Sequence, residues 1–172
     1  QTHARLGPHA PTRARGVAIS PTRPLAVASD PEGAGLTLWD LATMRSAGTL
    51  MHGPGFGGAV VDIEFSGEGS RFATLSSTGI AAVWEPSGAS FTVTYPNGSE
   101  PVTSVAMHPD GEHMAVGYSD GRIEYGAVHG EGTGTAQLRG TPIAGLRFDP
   151  AGARLFAVDS LGYVELRIGA AG

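Results

Sequence analysis

The sequence contains no cysteine, and this absence excludes disulfide bonds and thiolate metal sites and is compatible with a reducing compartment. No apolar run approaches the length of a membrane-spanning helix, and the first residues lack the hydrophobic core of a signal peptide. Only 16% of the residues are charged, and the net charge of −5 repels phosphate backbones. We therefore expect a cytoplasmic protein that binds neither nucleic acid nor membranes.

Glycine and proline, in contrast, are abundant. The chain has 27 glycines and 12 prolines, about 23% of its 172 residues, so a turn is expected every few positions. Hydrophobic residues make up 41%, which is enough for a core, and a chain of this length can form one domain. The composition predicts a globular chain that turns often.

Four segments of the sequence repeat one internal pattern. In each segment an apolar and polar alternation ends at a turn-forming residue, a second apolar run follows the turn, and a glycine closes the unit. The distance from turn-forming residue to glycine is always 13 residues: Ser20 to Gly33, Ser66 to Gly79, His108 to Gly121 and Asp149 to Gly162. This constant spacing predicts two strands joined by a tight turn, because a slip of one residue would expose the apolar face.

Further strands follow each closing glycine. The third strand of each copy reads LTLWD, IAAVWE, RIEYGAV and YVELRI. A fourth strand is predicted in three copies, at about 46–51, 91–95 and 135–138. No stretch of helical length shows a 3.6-residue period, so the sequence predicts an all-β fold. Four-stranded antiparallel units that recur every 41 to 46 residues are typical of a β-propeller.

The repeats resemble the WD-repeat family. The third copy, HPDGEHMAVGYSDGRIEYG, is similar to the middle of the family's repeat, and LTLWDL in the first copy is similar to its Trp-Asp end. The resemblance implies a partial propeller whose four blades lie at about 14–51, 60–96, 102–139 and 143–168. Residues 2–6 would form the outer strand of a preceding or closing blade. The implied structural signature residues are Trp39, Asp40, Trp84, Asp120, Gly121, Gly79 and Gly162.

The copies also depart from the family's pattern. The turn aspartate of the family is matched only by Asp120, and its Gly-His element is only approximated, at Gly7 to His9. The resemblance implies that these groups form a buried hydrogen-bond network in each blade. Their loss predicts blades that are weaker or supported in a different way.

Four copies make about half of the seven-bladed ring that is usual in the family. One interpretation is a segment of a larger propeller or tandem-propeller protein, which agrees with a chain that begins with Gln rather than Met. The other is a small four-bladed ring, or a pair of chains that completes an eight-bladed one. An open half ring would leave sheet edges and an inner face uncovered, which predicts association.

The sequence has few patterns that are typical of catalytic, phosphate-binding or metal-binding sites. The glycine-rich stretch 129–134 lacks the Lys-Ser/Thr of a phosphate-binding loop, and the histidines and carboxylates of 108–113 lie on a turn that the repeat already explains. Four acidic residues are expected on solvated strand faces: Asp62, Glu64, Glu124 and Glu165. The sequence therefore predicts no catalytic residue, no metal and no cofactor.

The predicted function is a non-enzymatic scaffold that binds other proteins through loops on a rigid propeller. The longest variable loops are 30–35, 51–59 and 129–135, and Phe56, an aromatic residue inside a glycine-rich loop, is the predicted partner-binding anchor.

The composition is similar in style to that of large WD-repeat proteins of cilia and centrioles. This likeness favours a cytoskeletal, ciliary or centriolar assembly, with tubulin or other cytoskeletal proteins as partners, together with further blades from the same or a second chain. Two alternatives stay open. A propeller enzyme would bring acidic or metal-binding side chains together at the central channel, and a peptide or modification reader would have an aromatic or arginine-lined site at one mouth.

Overall fold

The computed structural model describes residues 16–30, 35–52, 57–86, 90–92, 100–130, 132–138 and 140–167. Every regular element within these ranges is a β-strand. No helix in this described part is long and apolar enough to cross a membrane. The strands are β1 (Val17–Ile19), β2 (Leu25–Ser29), β3 (Gly35–Asp40), β4 (Arg45–Met51), β5 (Val60–Phe65), β6 (Phe72–Ser76), β7 (Ala81–Trp84), β8 (Ser90–Thr92), β9 (Val102–Met107), β10 (His113–Tyr118), β11 (Arg122–Ala127), β12 (Gly132–Gln137), β13 (Gly145–Phe148), β14 (Arg154–Asp159) and β15 (Gly162–Arg167).

The strands form four antiparallel sheets in which each strand pairs with its neighbours in sequence. The sheets are β1-β2-β3-β4, β5-β6-β7-β8, β9-β10-β11-β12 and β13-β14-β15, which we call blades 1 to 4. The predicted all-β fold of four antiparallel sheets, a partial propeller, is confirmed. One boundary differs, because β12 begins at Gly132 and part of the predicted loop 129–135 is therefore strand.

Successive blades pack face to face through three apolar clusters. The first joins blades 1 and 2 through side chains such as Leu36 and Phe72, the second joins blades 2 and 3, and the third joins blades 3 and 4. In β6, Phe72 contacts the cluster shared with blade 1, while Ala73 and Leu75 contact the cluster shared with blade 3. Because side chains alternate along a strand, a middle strand is covered on both faces, and all five residues of β6 are buried.

The predicted tight turns are present at 20–25, 66–71, 108–113 and 149–154. In each, the amide of the first residue donates to the carbonyl five positions later, over 2.8 to 3.0 Å. In the last three turns the fourth residue is a glycine in the left-handed region, with φ of 64° at Gly69, 73° at Gly111 and 74° at Gly152. A side chain is strained in this conformation, so glycine is the residue that the turn requires.

The turns also touch one another and form a continuous row, which we call the turn belt. A Cβ on Gly69 would lie 2.6 Å from the Ser20 hydroxyl, and one on Gly152 would lie 2.1 Å from the His108 ring. The hydroxyl of Thr22 donates to the carbonyl of Glu68 over 2.9 Å, which ties the first turn to the second. Each turn therefore fixes the position of its neighbour.

A polar network lies inside blade 2. The indole Nε1 of Trp84 donates to the hydroxyl of Thr74 over 3.1 Å, and Nε2 of His52 lies 2.8 Å from the same hydroxyl. The rings of His52 and Trp84 meet edge to face, with centroids 4.5 Å apart. The expectation that the histidine network is lost is therefore wrong for this blade, where His52 takes part without a preceding glycine.

Blade 1 has no hydroxyl at the position that joins this network in blade 2. Ala26 pairs with Trp39 as Phe72 pairs with Trp84, so Ala28 occupies the position of Thr74. Trp39 is only 3% exposed, and its Nε1 has no hydrogen-bond partner within the described residues. The two signature tryptophans thus occupy equivalent positions with different polar environments.

This difference predicts different responses to substitution. Thr74→Val leaves the buried polar groups of His52 and Trp84 without their shared partner, and we expect a loss of about 1 to 3 kcal/mol in the free energy of unfolding. A double-mutant cycle by chemical denaturation should show coupling between Thr74→Val and Trp84→Phe and additivity between Thr74→Val and Trp39→Phe. Equal coupling to both tryptophans would contradict the network.

Candidate functional site

The first strands of the blades lie side by side, with β5 next to β9 and β9 next to β13. Between blades 2, 3 and 4 they leave an open groove of about 460 Å³, which we call the inner groove. Its lining combines apolar, hydroxyl and charged side chains. The lining residues are Val61, Asp62, Leu75, Thr103, Ser104, Ala144, Gly145, Leu146, Arg147, Phe156 and Val158.

A bulge in β5 directs two residues into the inner groove. The register with β6 shifts between Val60 and Asp62, so one extra residue is accommodated there. Val60 and Ile63, three positions apart, consequently both pack towards blade 1. Val61 and Asp62 are left to line the groove.

Blade 4 lines the inner groove with the sheet face that points away from blade 3. Leu146 and Leu155 pack in the cluster shared with blade 3. Their neighbours Arg147 and Phe156 pair across β13 and β14, and strand alternation places them on the opposite face, where both line the groove. Val158 lies on the same face and is 45% exposed.

An ion pair connects blades 2 and 4 beside the groove. Nη1 of Arg147 contacts Oε1 of Glu64, and the Glu64 side chain is only 14% exposed. Burial raises the pKa of Glu64 to about 7, with a smaller contribution from the charge of Asp62, while Arg147 and the amide of Met107 act to lower it. The expected solvated position of Glu64 is therefore wrong, because its strand lies between two blades.

Glu124 is buried as well, at 3% exposure, which again differs from the expected solvated position. The Tyr118 hydroxyl donates to Glu124 over 2.9 Å, and the guanidinium of Arg122 contacts the same carboxylate and covers the Tyr118 ring at 3.9 Å. This cluster satisfies a buried charge within blade 3. The side chain of Glu165 lies outside the described residues.

The predicted signature residues occupy strand ends and turns. Trp39 and Trp84 are buried, Gly79 and Gly121 are left-handed turn residues, and Gly162 begins β15. Two aspartates accept backbone hydrogen bonds two residues ahead: Asp40 from Ala42 and Asp120 from Arg122. The amides of Thr43 and Ala42 hold the pKa of Asp40 below its usual value. Phe56, the predicted anchor, lies outside the described residues.

One group of possible metal ligands occurs in the described part of the chain. His108, Asp110 and His113, all on the turn of blade 3, place a nitrogen or oxygen atom each within 4.8 Å of the others. The sequence places these residues on one turn, but it does not reveal that their side chains converge. Beside the inner groove, by contrast, Arg147 contacts Glu64, and within it the Thr103 hydroxyl donates to the carbonyl of Ile143 over 2.8 Å.

The raised pKa of Glu64 predicts how stability depends on pH. Because the folded state holds this proton up to about pH 7 and the unfolded state releases it near 4.5, the stabilisation is complete below 4.5 and is lost as the pH rises through 7. Glutamine does not titrate, so between these two pH values the free energy of unfolding of Glu64→Gln should fall by up to about 3 kcal/mol less than that of the wild type. Denaturation across pH checks it, with the exposed Glu68→Gln as control. An unchanged slope in Glu64→Gln would contradict the prediction.

Comparison with known proteins identifies one repeat directly. Residues 89–124 match the family model described as "WD domain, G-beta repeat". This range runs from the outer strand of blade 2 through β9 and β10 into β11. A search of the curated proteins finds no match to the chain. WD repeats generally mediate protein–protein interaction, and proteins that contain them are typically non-enzymatic scaffolds. With one matched WD repeat and four antiparallel sheets of sequential strand order, the described part of the chain has the fold of a partial β-propeller.

Proposed function

We propose that the chain is a protein–protein interaction scaffold that holds an extended peptide segment of its partner in the inner groove. The observation that carries this proposal is a groove of about 460 Å³ formed by strands of three blades. Sites on strands of packed blades are held more firmly than sites on loops, so little ordering is required on binding.

The lining indicates which peptide fits. Leu75, Phe156 and Val158 offer an apolar surface, and Asp62 and Arg147 offer charges of both signs at its edge. An aromatic anchor with polar groups around it is typical of the side chains that dominate binding energy. A segment with an apolar side chain next to a charged one matches this lining. The groove therefore supports a peptide reader at the channel, rather than an enzyme, as the form of this scaffold.

The end faces of the sheets support a second class of partner, further propeller blades. Val17 and Ile19 on β1 are 66% and 65% exposed, and Leu161 beside β15 is 59% exposed. In blades 2 and 3 both faces are covered by neighbours. Exposed apolar side chains on the outer blades match surfaces on which another blade would pack. We propose that these blades come from the same polypeptide or from a second chain.

The wider setting stays a prediction from the sequence. A cytoplasmic location, an assembly of the cytoskeleton, cilium or centriole, and tubulin as a partner are supported by the style of the composition alone. Phe56 likewise stays the predicted loop anchor, and unchanged partner affinity after Phe56→Ala would remove it from the proposal.

The groove proposal is tested with peptides selected for binding to the full chain. Phe156→Ala and Asp62→Asn should each weaken the selected peptides by roughly tenfold or more, because they remove the apolar anchor and one charge. Thr49→Ala, on the exposed strand β4, is the control and should leave affinity unchanged. Fluorescence anisotropy measures the affinities. Peptides that bind the two groove variants as tightly as the wild type would refute the assignment.

The end-face proposal is tested by the oligomeric state of the isolated chain. We expect concentration-dependent association in light scattering, and Val17→Asp with Ile19→Asp should reduce it because a charge opposes burial of that face. Ser46→Asp with Thr49→Asp on β4 serves as the matched control. A monodisperse wild-type monomer that unfolds in one sharp transition would exclude the proposal.

A further inference from the structure

The turn of blade 3 brings two histidines against one aspartate. Nδ1 of His108 lies 2.9 Å from Oδ1 of Asp110, and Nδ1 of His113 lies 2.9 Å from Oδ2 of the same carboxylate. The carboxylate thus lies between two imidazole rings. All three side chains come from one six-residue turn, His-Pro-Asp-Gly-Glu-His.

The turn explains the position of Asp110 but not that of the histidines. Oδ1 of Asp110 accepts the amides of Glu112 and His113 over 2.8 and 3.1 Å, an arrangement that stabilises many tight turns. The corresponding turn of blade 2 keeps the same backbone bonds with Ser66 and Arg71 in place of the two histidines. The backbone therefore does not require imidazole at either position.

The contacts of His108 favour a cation next to its Nδ1. Nε2 of His108 lies 3.2 Å from the carbonyl of Gly152, an acceptor, so this nitrogen carries a proton and donates. In a neutral ring Nδ1 then has a lone pair, which accepts the amide of Asp110 over a long 3.3 Å and also faces the carboxylate oxygen of Asp110 at the shorter distance of 2.9 Å. Two lone pairs at this distance repel, and a positive ion between them removes the repulsion.

The contacts around the three groups match those of a metal ligand set. A histidine that binds a metal usually donates its other nitrogen to a carbonyl or carboxylate, and the bond from His108 to Gly152 has this form. The His113 ring stacks on Tyr125 at 5.6 Å and the His108 ring meets Phe148 edge to face at 5.0 Å, which fixes both orientations. Ions can reach the site, since His113 and Asp110 are 37% and 38% exposed.

We propose that this turn binds a divalent transition-metal ion of the zinc class, with Nδ1 of His108, the carboxylate of Asp110 and Nδ1 of His113 as ligands and water in the open position. Two imidazoles and a carboxylate suit zinc, and donor atoms 2.9 Å apart need to separate by only about half an ångström to reach tetrahedral spacing. Because His108 is held by Gly152, the ion ties blade 3 to blade 4. The site is independent of the scaffold role.

Calorimetric titration of the metal-stripped full chain with zinc chloride tests the site. His3 and His9 are both replaced by alanine in every sample, because they lie outside the described residues and are possible ligands themselves. We expect one zinc ion per chain and no response to magnesium, which prefers oxygen ligands. His113→Ala and Asp110→Asn should each weaken zinc binding roughly tenfold or more. His129→Ala, an exposed histidine of the same blade, is the matched control and should leave it unchanged.

A second measurement needs no variant in the turn. In the NMR spectrum of the wild-type turn, zinc should shift the ring signals of His108 and His113 and leave those of His52 and His129 in place. Absence of zinc binding, equal binding of magnesium, or binding unaffected by both His113→Ala and Asp110→Asn would overturn the proposal. Histidine signals that respond to pH but not to zinc would overturn it too, since the cation between His108 and Asp110 would then be a proton.

Discussion

Coverage of both faces of each sheet is the constraint on which this structure depends. A middle strand such as β6 carries apolar side chains on both sides, so a single blade cannot shield its own residues from water. Blades 2 and 3 meet this requirement because each has a neighbour on either side.

The sequence predicted the strands and the tight turns because both depend on residues close together in the chain. A fixed spacing of 13 residues identified the hairpin between the first and second strands of each blade, since a tight turn and alternating side chains leave only one register. The left-handed glycines Gly69, Gly111 and Gly152 follow from the same turns. The family resemblance, confirmed for one matched repeat, then supplied the arrangement of the sheets.

The candidate site could not be predicted in this way, because it depends on contacts between distant positions. Asp62 and Glu64 look like solvated residues of an alternating strand, and only the bulge after Val60 and the approach of Arg147 reveal their environment. The link between His52 and Thr74 joins the segment before β5 to β6, and no dipeptide in the sequence marks it. Local patterns describe strands, whereas burial of a charge is a property of the assembled sheets.

The four copies share one backbone plan and use different polar interactions inside it. Blade 2 has a histidine, a threonine and a tryptophan joined by hydrogen bonds, while blade 3 has Tyr118, Arg122 and Glu124 around a buried carboxylate. In blade 1 the equivalent of Thr74 is Ala28, and Trp39 packs against Ala26, Ala28 and Leu41. Loss of the family signature in a blade therefore does not by itself indicate loss of the blade.

The turn belt gives the series of repeats a direction. Ser20 and His108 each occupy space that exists only because the following turn has a glycine at its fourth position. The first turn has Arg23 at that position, so it offers no such space to a turn that would precede it. Repeats with this property are not interchangeable modules: exchanging two of them, or inserting a copy of blade 1 between two others, would place a long side chain where the neighbour needs a bare backbone.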